Sequence, residues 1–184
     1  MKPVSSVLCL LILLPLPVVA QMDQTHSVAP AEDCTRLSPE LRAVVAAMDR
    51  SGLRIEALPR PERGSAVEPS SLKLEVALRP LSDVALVGKE TKPNENGENL
   101  FGGFVRLAIP KDGMYRISAG STIWIEVIDE GKPIERVRIA PRLHCGRIHK
   151  SLGFPLKGEQ SYWLQISGSK RPDVALLITK EPER

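Results

Sequence analysis

An all-β fold, an antiparallel β-sandwich of jelly-roll type with one N-terminal amphipathic helix, is what these 184 residues predict. Three observations point to it. Between Leu72 and Ile178, apolar residues recur at every second position in short runs, as they do in strands with one buried face. Turn residues break those runs at short intervals, in a chain with 16 prolines and 13 glycines, and such spacing belongs to sandwiches and barrels. Only one stretch, near Pro39 to Arg50, carries a helical period. Aromatic residues make up 4% of the chain, so the core must be built from Leu, Ile and Val.

The first twenty residues, MKPVSSVLCLLILLPLPVVA, read as a secretory signal. Lys2 is a minimal positive start, Val7 to Leu14 is apolar, and Val18-Val19-Ala20 places small residues before a cleavage point at Gln21. Pro15 and Pro17 interrupt the run, which is shorter than the roughly 20 apolar residues a membrane helix needs. Cleavage would leave 164 residues (184 less 20), one domain's length, in the periplasm or outside the cell. It would also remove Lys2, lowering the formal charge from +3 to +2, too little for a nucleic-acid surface. No membrane span is expected after cleavage. Cys9 would leave with the signal, and Cys34 and Cys145 would enter an oxidising compartment, where an even pair reads as a disulfide. Spacing leaves two free thiols, or a bridge to another molecule, open.

Residues 21–57 are read as an N-terminal segment. Gln21 to Leu37 is polar and irregular. Ser38 then suits an N-cap, Pro39 the first helical position, and Glu40 the positive helix end. Leu41, Val44, Val45 and Met48 form one apolar stripe, and Arg50 and Gly52 supply a stop, giving a helix at about 39–50. Residues 58–71, LPRPERGSAVEPSS, read as a linker or an extended wrap.

The sandwich is expected over residues 72–180. Leu72, Leu74, Val76 and Leu78 share one face of a strand. Val84 to Val87 is a short apolar run, and residues 88–99 form a polar loop. Val105, Leu107 and Ile109 make the next strand; Tyr115 and Ile117, then Ile123, Ile125 and Val127, follow after turns at Lys111-Asp112-Gly113 and Gly120-Ser121. Asp129 to Pro133 is a turn. Strands follow at Val137 and Ile139, at Phe154 and Leu156, at Tyr162, Leu164 and Ile166, and at Val174, Leu176 and Ile178. Leu74, Leu107, Ile125 and Leu164 sit centrally and are expected in the core. There is also a weak internal echo: VRLAIPKDGMYRISAG resembles GFPLKGEQSYWLQISG. Two hairpins obeying the same turn rules explain it more simply than a duplicated binding unit.

The segment FVRLAIPKDGMYRISAGSTIWIEV resembles the bacterial pre-peptidase C-terminal (PPC) type of β-sandwich. There, a strand ends in a Pro/Gly turn, resumes at a Tyr, and is followed by a small-residue turn and another strand. The longer stretch from Leu72 to Ile178 resembles small exported proteobacterial proteins. These carry a Trp-Ile-(Asp/Glu)-Val strand, a Cys-x-Gly-Ile-Arg-Lys segment and a final Leu-Gln-(Leu/Ile)-Ser-Gly strand, which are here Trp124 to Val127, Cys145 to Lys150 and Leu164 to Gly168. Arg147 stands where that pattern has Gly, and His149 where it has Arg. The resemblance implies an exported PPC-like sandwich and no particular activity. Some such proteins carry a homogentisate dioxygenase label, which the chain's small size and lack of a cupin-type iron-binding pattern argue against.

Two groups of residues invite a chemical reading. In PRLHCGRIHKSLGF, His144, Cys145 and His149 could hold zinc or copper. Adjacent residues of an extended strand point to opposite faces, however, and Cys145 and His149 lie about 13 Å apart at full extension. No fourth ligand is near. A Cys-His nucleophile lacks an orienting motif and competes with the disulfide. No phosphate loop, His-Glu-x-x-His or nucleophile elbow occurs. Glu32, Asp33 and the acidic residues of 90–98 lack the alternation of a calcium loop. The sequence thus points to no catalytic residue, no cofactor and no metal site. If a metal were bound, His144, Cys145 and His149 would hold it.

Trp124 and Trp163 are the candidate binding residues. Both fall on the parity opposite to the core positions, with Glu126 and Gln165 as face partners. Exposed indoles bind sugars or peptides and anchor interfaces. The competing reading, which the rarity of large exposed apolar patches favours, is that the helix or the linker covers them. The expected function is a non-enzymatic, exported binding or envelope-associated accessory module, whose partner is a protein or glycan of the cell envelope. The alternative is a small periplasmic metal-binding or redox protein using His144, Cys145 and His149, and a weaker one is a dioxygenase.

Overall fold

A computed structural model describes residues 37–88, 99–140 and 147–182. Within the described residues, twelve strands are divided between two sheets: β1 (Leu53–Glu56), β2 (Ala66–Val67), β3 (Leu74–Ala77), β4 (Arg79–Pro80), β5 (Phe101–Ile109), β6 (Gly113–Ala119), β7 (Trp124–Asp129), β8 (Lys132–Pro133), β9 (Arg138–Ala140), β10 (Lys150–Leu156), β11 (Gln160–Ser169) and β12 (Asp173–Lys180). One sheet runs β1-β3-β12-β6-β10-β9, and the other β2-β5-β11-β7-β8 with β4 also on β5. We call them the first and second sheets. Inward residues of both meet in one apolar core that includes Leu74, Leu107, Ile125 and Leu164, all buried as their central positions in alternating runs require. The fold is therefore the expected all-β sandwich with a single helix.

Two pairings depart from a purely antiparallel sandwich. β1 lies parallel to β3, and β2 parallel to β5. The course of the chain explains both. After β1 it crosses to the second sheet, where Leu58 bridges Phe104 and Ala66–Val67 pairs with Arg106 and Leu107. It then returns to the first sheet and re-enters beside β1 in the same direction. β4 continues along β5 at Gly102 and Phe101. Residues 58–71 thus supply backbone pairing to a sheet edge, which polar, proline-rich composition does not announce. Gly103 (φ 152°) sits at this close approach, where a Cβ would fall 2.5 Å from the Ala57 Cβ.

Helix α1 spans Pro39–Met48, and Ser38 Oγ accepts from the Leu41 amide at 3.4 Å. Val44 and Met48 of the expected stripe are buried, joined by Ala47, and they pack with Leu177 and Ile148; Leu41 and Val45 pack at the margin. Leu177 points away from the sandwich core, since its neighbours Leu176 and Ile178 point into it. The helix therefore covers the outer face of the first sheet.

The two echoing segments are not hairpins. β5 and β6 lie in different sheets, as do β10 and β11, so each segment arches across the sandwich. The arches pack on each other in antiparallel register, Ile109 opposite Gln160 and Gly113 opposite Leu156. In each, the tyrosine ties its own turn: Tyr115 Oη donates to the Lys111 carbonyl at 2.7 Å, and Tyr162 Oη accepts from the Lys157 amide at 3.0 Å. The turns touch where the Gly158 amide donates to Asp112 Oδ1 at 2.7 Å.

Candidate functional site

Trp124 and Trp163 share the outer face of the second sheet, on the adjacent strands β7 and β11. Ser167 stands opposite Trp124, Trp163 opposite Ile128, and Gln165 opposite Glu126 between them. Gln165 is 2% exposed and behaves as a small backbone. Its Oε1 accepts from the Val87 amide at 2.6 Å, and its Nε2 donates to the Val87 carbonyl at 3.1 Å and to Glu126 Oε2 at 2.6 Å. The run Val84 to Val87 is therefore not a strand but a strap, pinned over mid-face by Gln165 and tied at Ala85, whose amide donates to the Pro59 carbonyl at 2.9 Å. It lies between the two indoles, which share a face without forming a joint platform.

Trp124 lies at one end of that face and is 57% exposed. Helix α1, expected as a possible cover, sits on the other sheet and leaves it open. The ring is positioned nonetheless. The irregular end of β11 brings Gly168 (φ 72°) against it, so that a Cβ there would lie 3.0 Å from the Trp124 Cδ1. The Lys150 ammonium stands 5.5 Å from the ring centroid and donates to the Ile123 carbonyl, an arrangement that combines cation–π attraction with a hydrogen bond. Beside it, Thr122 Oγ1 and His149 Nε2 are 3.0 Å apart.

At the far end of the face, Trp163 is half-buried in a groove of about 510 Å³. Pro61 forms one wall. The turn joining β7 to β8 forms another, with Asp129, Glu130 and Gly131; Ile128, Gln160 and Ser161 complete the lining. Glu130 (φ 45°) and Gly131 (φ 79°) link Asp129 to its partner Lys132, the two-residue turn with both central φ angles positive that suits a twisted hairpin. Arg106, opposite Trp163 on β5, donates to the Gly64 carbonyl at 3.1 Å and to Ser161 Oγ at 3.2 Å. The turn itself, read from the sequence at Asp129 to Pro133, is where it was expected; nothing in the sequence brings Pro61 to it.

A second concavity, of about 390 Å³, opens between α1 and the first sheet. Val44, Ala47 and Leu177 line it together with Arg116, which is paired to Glu181.

Of the expected metal ligands only His149 is among the described residues; besides its contact to Thr122, its backbone amide donates to the Ala119 carbonyl at 2.7 Å. His144 and Cys145 lie outside them, as do Cys34, Glu32, Asp33, the acidic loop 90–98 and the signal segment. Among the described residues, no group of three or more His, Cys, Asp or Glu side chains could hold a metal ion. Nor is any helix among them long and apolar enough to cross a membrane.

No family profile matches the chain, and no curated protein does. Two crystal structures of the β-glucosidase from Kluyveromyces marxianus, one of them with glucose bound, match at 16% identity and a TM-score of 0.30. They cover 58% and 54% of this chain but only 14% and 12% of the enzyme. The chain thus spans less than a sixth of the enzyme's length, and a likeness so low bears on neither fold nor function.

Proposed function

We propose that this chain is a non-enzymatic, exported binding module of the cell envelope that holds a partner through Trp124. One observation carries the reading. A large indole stands in solvent at 57% exposure, held in a fixed orientation by Gly168 and Lys150. A side chain left over from core packing has no need of that support. A preformed aromatic anchor binds with little further loss of conformational entropy.

Export rests on the N-terminal pattern, with the mature chain starting near Gln21 and Cys34 bridged to Cys145 in the oxidising compartment. Thiol titration of native exported protein checks the bridge, and N-terminal sequencing checks the cleavage. For binding, immobilised parent protein and a Trp124→Ala variant are exposed to solubilised envelope from the same cells. The parent should retain a saturable component that the variant loses, with unchanged circular dichroism and melting. Equal retention by the variant would refute the role of Trp124.

A further inference from the structure

The groove around Trp163 lies outside the Trp124 anchor, and its chemistry is different. We propose that it is a binding site for a neutral pyranose unit of an oligosaccharide. The inference rests on reading the chain as a binding module but uses the other end of the face.

A pyranose has an apolar C–H face and a rim of hydroxyls that both donate and accept. A site for it needs an aromatic wall, acceptors, donors and a concave shape. Trp163 supplies the wall, half-buried and so fixed in place. Asp129 and Glu130 on the turn supply carboxylate acceptors, each able to take a pair of hydroxyls. Gln160 and Ser161 supply donors. Tyr162 Oη donates to Gln160 Oε1 at 2.8 Å, which commits the amide oxygen and makes the amide nitrogen the donating end. Ser161 Oγ likewise accepts from Arg106, so its own O–H is turned to donation. The volume of about 510 Å³ falls within the range of small-ligand sites.

The main competitor is a cationic ligand, since an indole and two carboxylates also suit an ammonium. Two features favour the sugar. The Arg106 guanidinium is already bonded to Ser161 Oγ in the groove lining, and it opposes a second positive charge there. The donors at Gln160 and Ser161 have no use for a cation.

The chain holds two tryptophans, so a Trp124→Phe variant leaves Trp163 as its only indole reporter. This variant is titrated with cellohexaose, chitohexaose and maltohexaose while Trp163 emission is followed. At least one of the three should give a saturable change. On the same background, Asp129→Ala should weaken binding on the order of tenfold, the equivalent of one good polar contact, with melting unchanged. In the parent, Trp163→Ala should abolish binding read by calorimetry. Three results would overturn the proposal: no saturable change with any of the sugars; an equal response from Trp124 in a Trp163→Phe variant; or saturation by tetramethylammonium chloride in place of sugar. Because Trp124 is absent from the reporter, a failure here leaves the envelope-capture experiment to judge the Trp124 anchor separately.

Discussion

Replacing Gln165 with leucine keeps the side chain's approximate size and deletes the clamp on the strap. Three hydrogen bonds go: two to the Val87 backbone, at 2.6 and 3.1 Å, and one to the Glu126 carboxylate at 2.6 Å. A net bond to a neutral group contributes about 0.5–1.5 kcal/mol, and one to a charged group about 1.5–3 kcal/mol. Their sum, about 2.5–6 kcal/mol, is a ceiling that holds only if the strap stays in place with its polar groups stranded. Once Val87 peels away, water satisfies its amide and carbonyl, so the expected loss is about 2–4 kcal/mol. In a domain of this length that lowers the melting temperature by about 5–15 °C. Urea unfolding measures the stability, and amide exchange at Val87 reads the strap itself. Gln165→Glu sharpens the test, because it keeps the shape but sets a carboxylate against Glu126 and the Val87 carbonyl. Two facing carboxylates hold a shared proton to higher pH than in the unfolded chain. The variant is therefore closest to the parent in acid and loses stability as pH rises through the carboxylate range. A Gln165→Leu protein that melts within about 2 °C of the parent, with Val87 exchange unchanged, would show that the side chain does not hold the strap.

Tyr115→Phe and Tyr162→Phe should each cost about 1 kcal/mol in urea unfolding. Because the two turns touch through Gly158 and Asp112, the double variant should deviate from additivity by at least about 0.5 kcal/mol; simple additivity would mean that the arches are independent. Gly103→Ala should cost about 2–5 kcal/mol, from its positive φ and the 2.5 Å approach to Ala57, and a variant as stable as the parent would contradict the geometry of that crossing. Leu74→Ala, Leu107→Ala, Ile125→Ala and Leu164→Ala should each cost about 2–5 kcal/mol by calorimetry. Trp124→Ala should change stability by less than about 0.5 kcal/mol, which separates its role from that of the core positions.

Alternation at period two is a local property, and it sufficed to identify which residues face inward. Leu74, Leu107, Ile125 and Leu164 needed only their own neighbours to be assigned. The helix was equally legible, because Ser38, Pro39 and the Leu41–Met48 stripe are all local signals. Alternation does not say which strand lies beside which. The stripe of α1 asks for an apolar partner, and both sheets of a sandwich have outer faces. Leu177 and Ile148, far along the chain, made the first sheet that partner. Residues 58–71 gained order from backbone pairing with β5, an interaction that leaves no trace in side-chain pattern. Val84 to Val87 reads as a short apolar run, yet what fixes it is the Pro59 carbonyl and a glutamine 78 residues from Val87. The two tryptophans are alike in sequence, with the same parity and a polar neighbour each. One stands open to solvent, packed by Gly168 and Lys150, and the other walls a groove with Pro61 and the Asp129–Gly131 turn. Local spacing determines the face a residue occupies. Its surroundings on that face depend on segments that only the folded chain brings together.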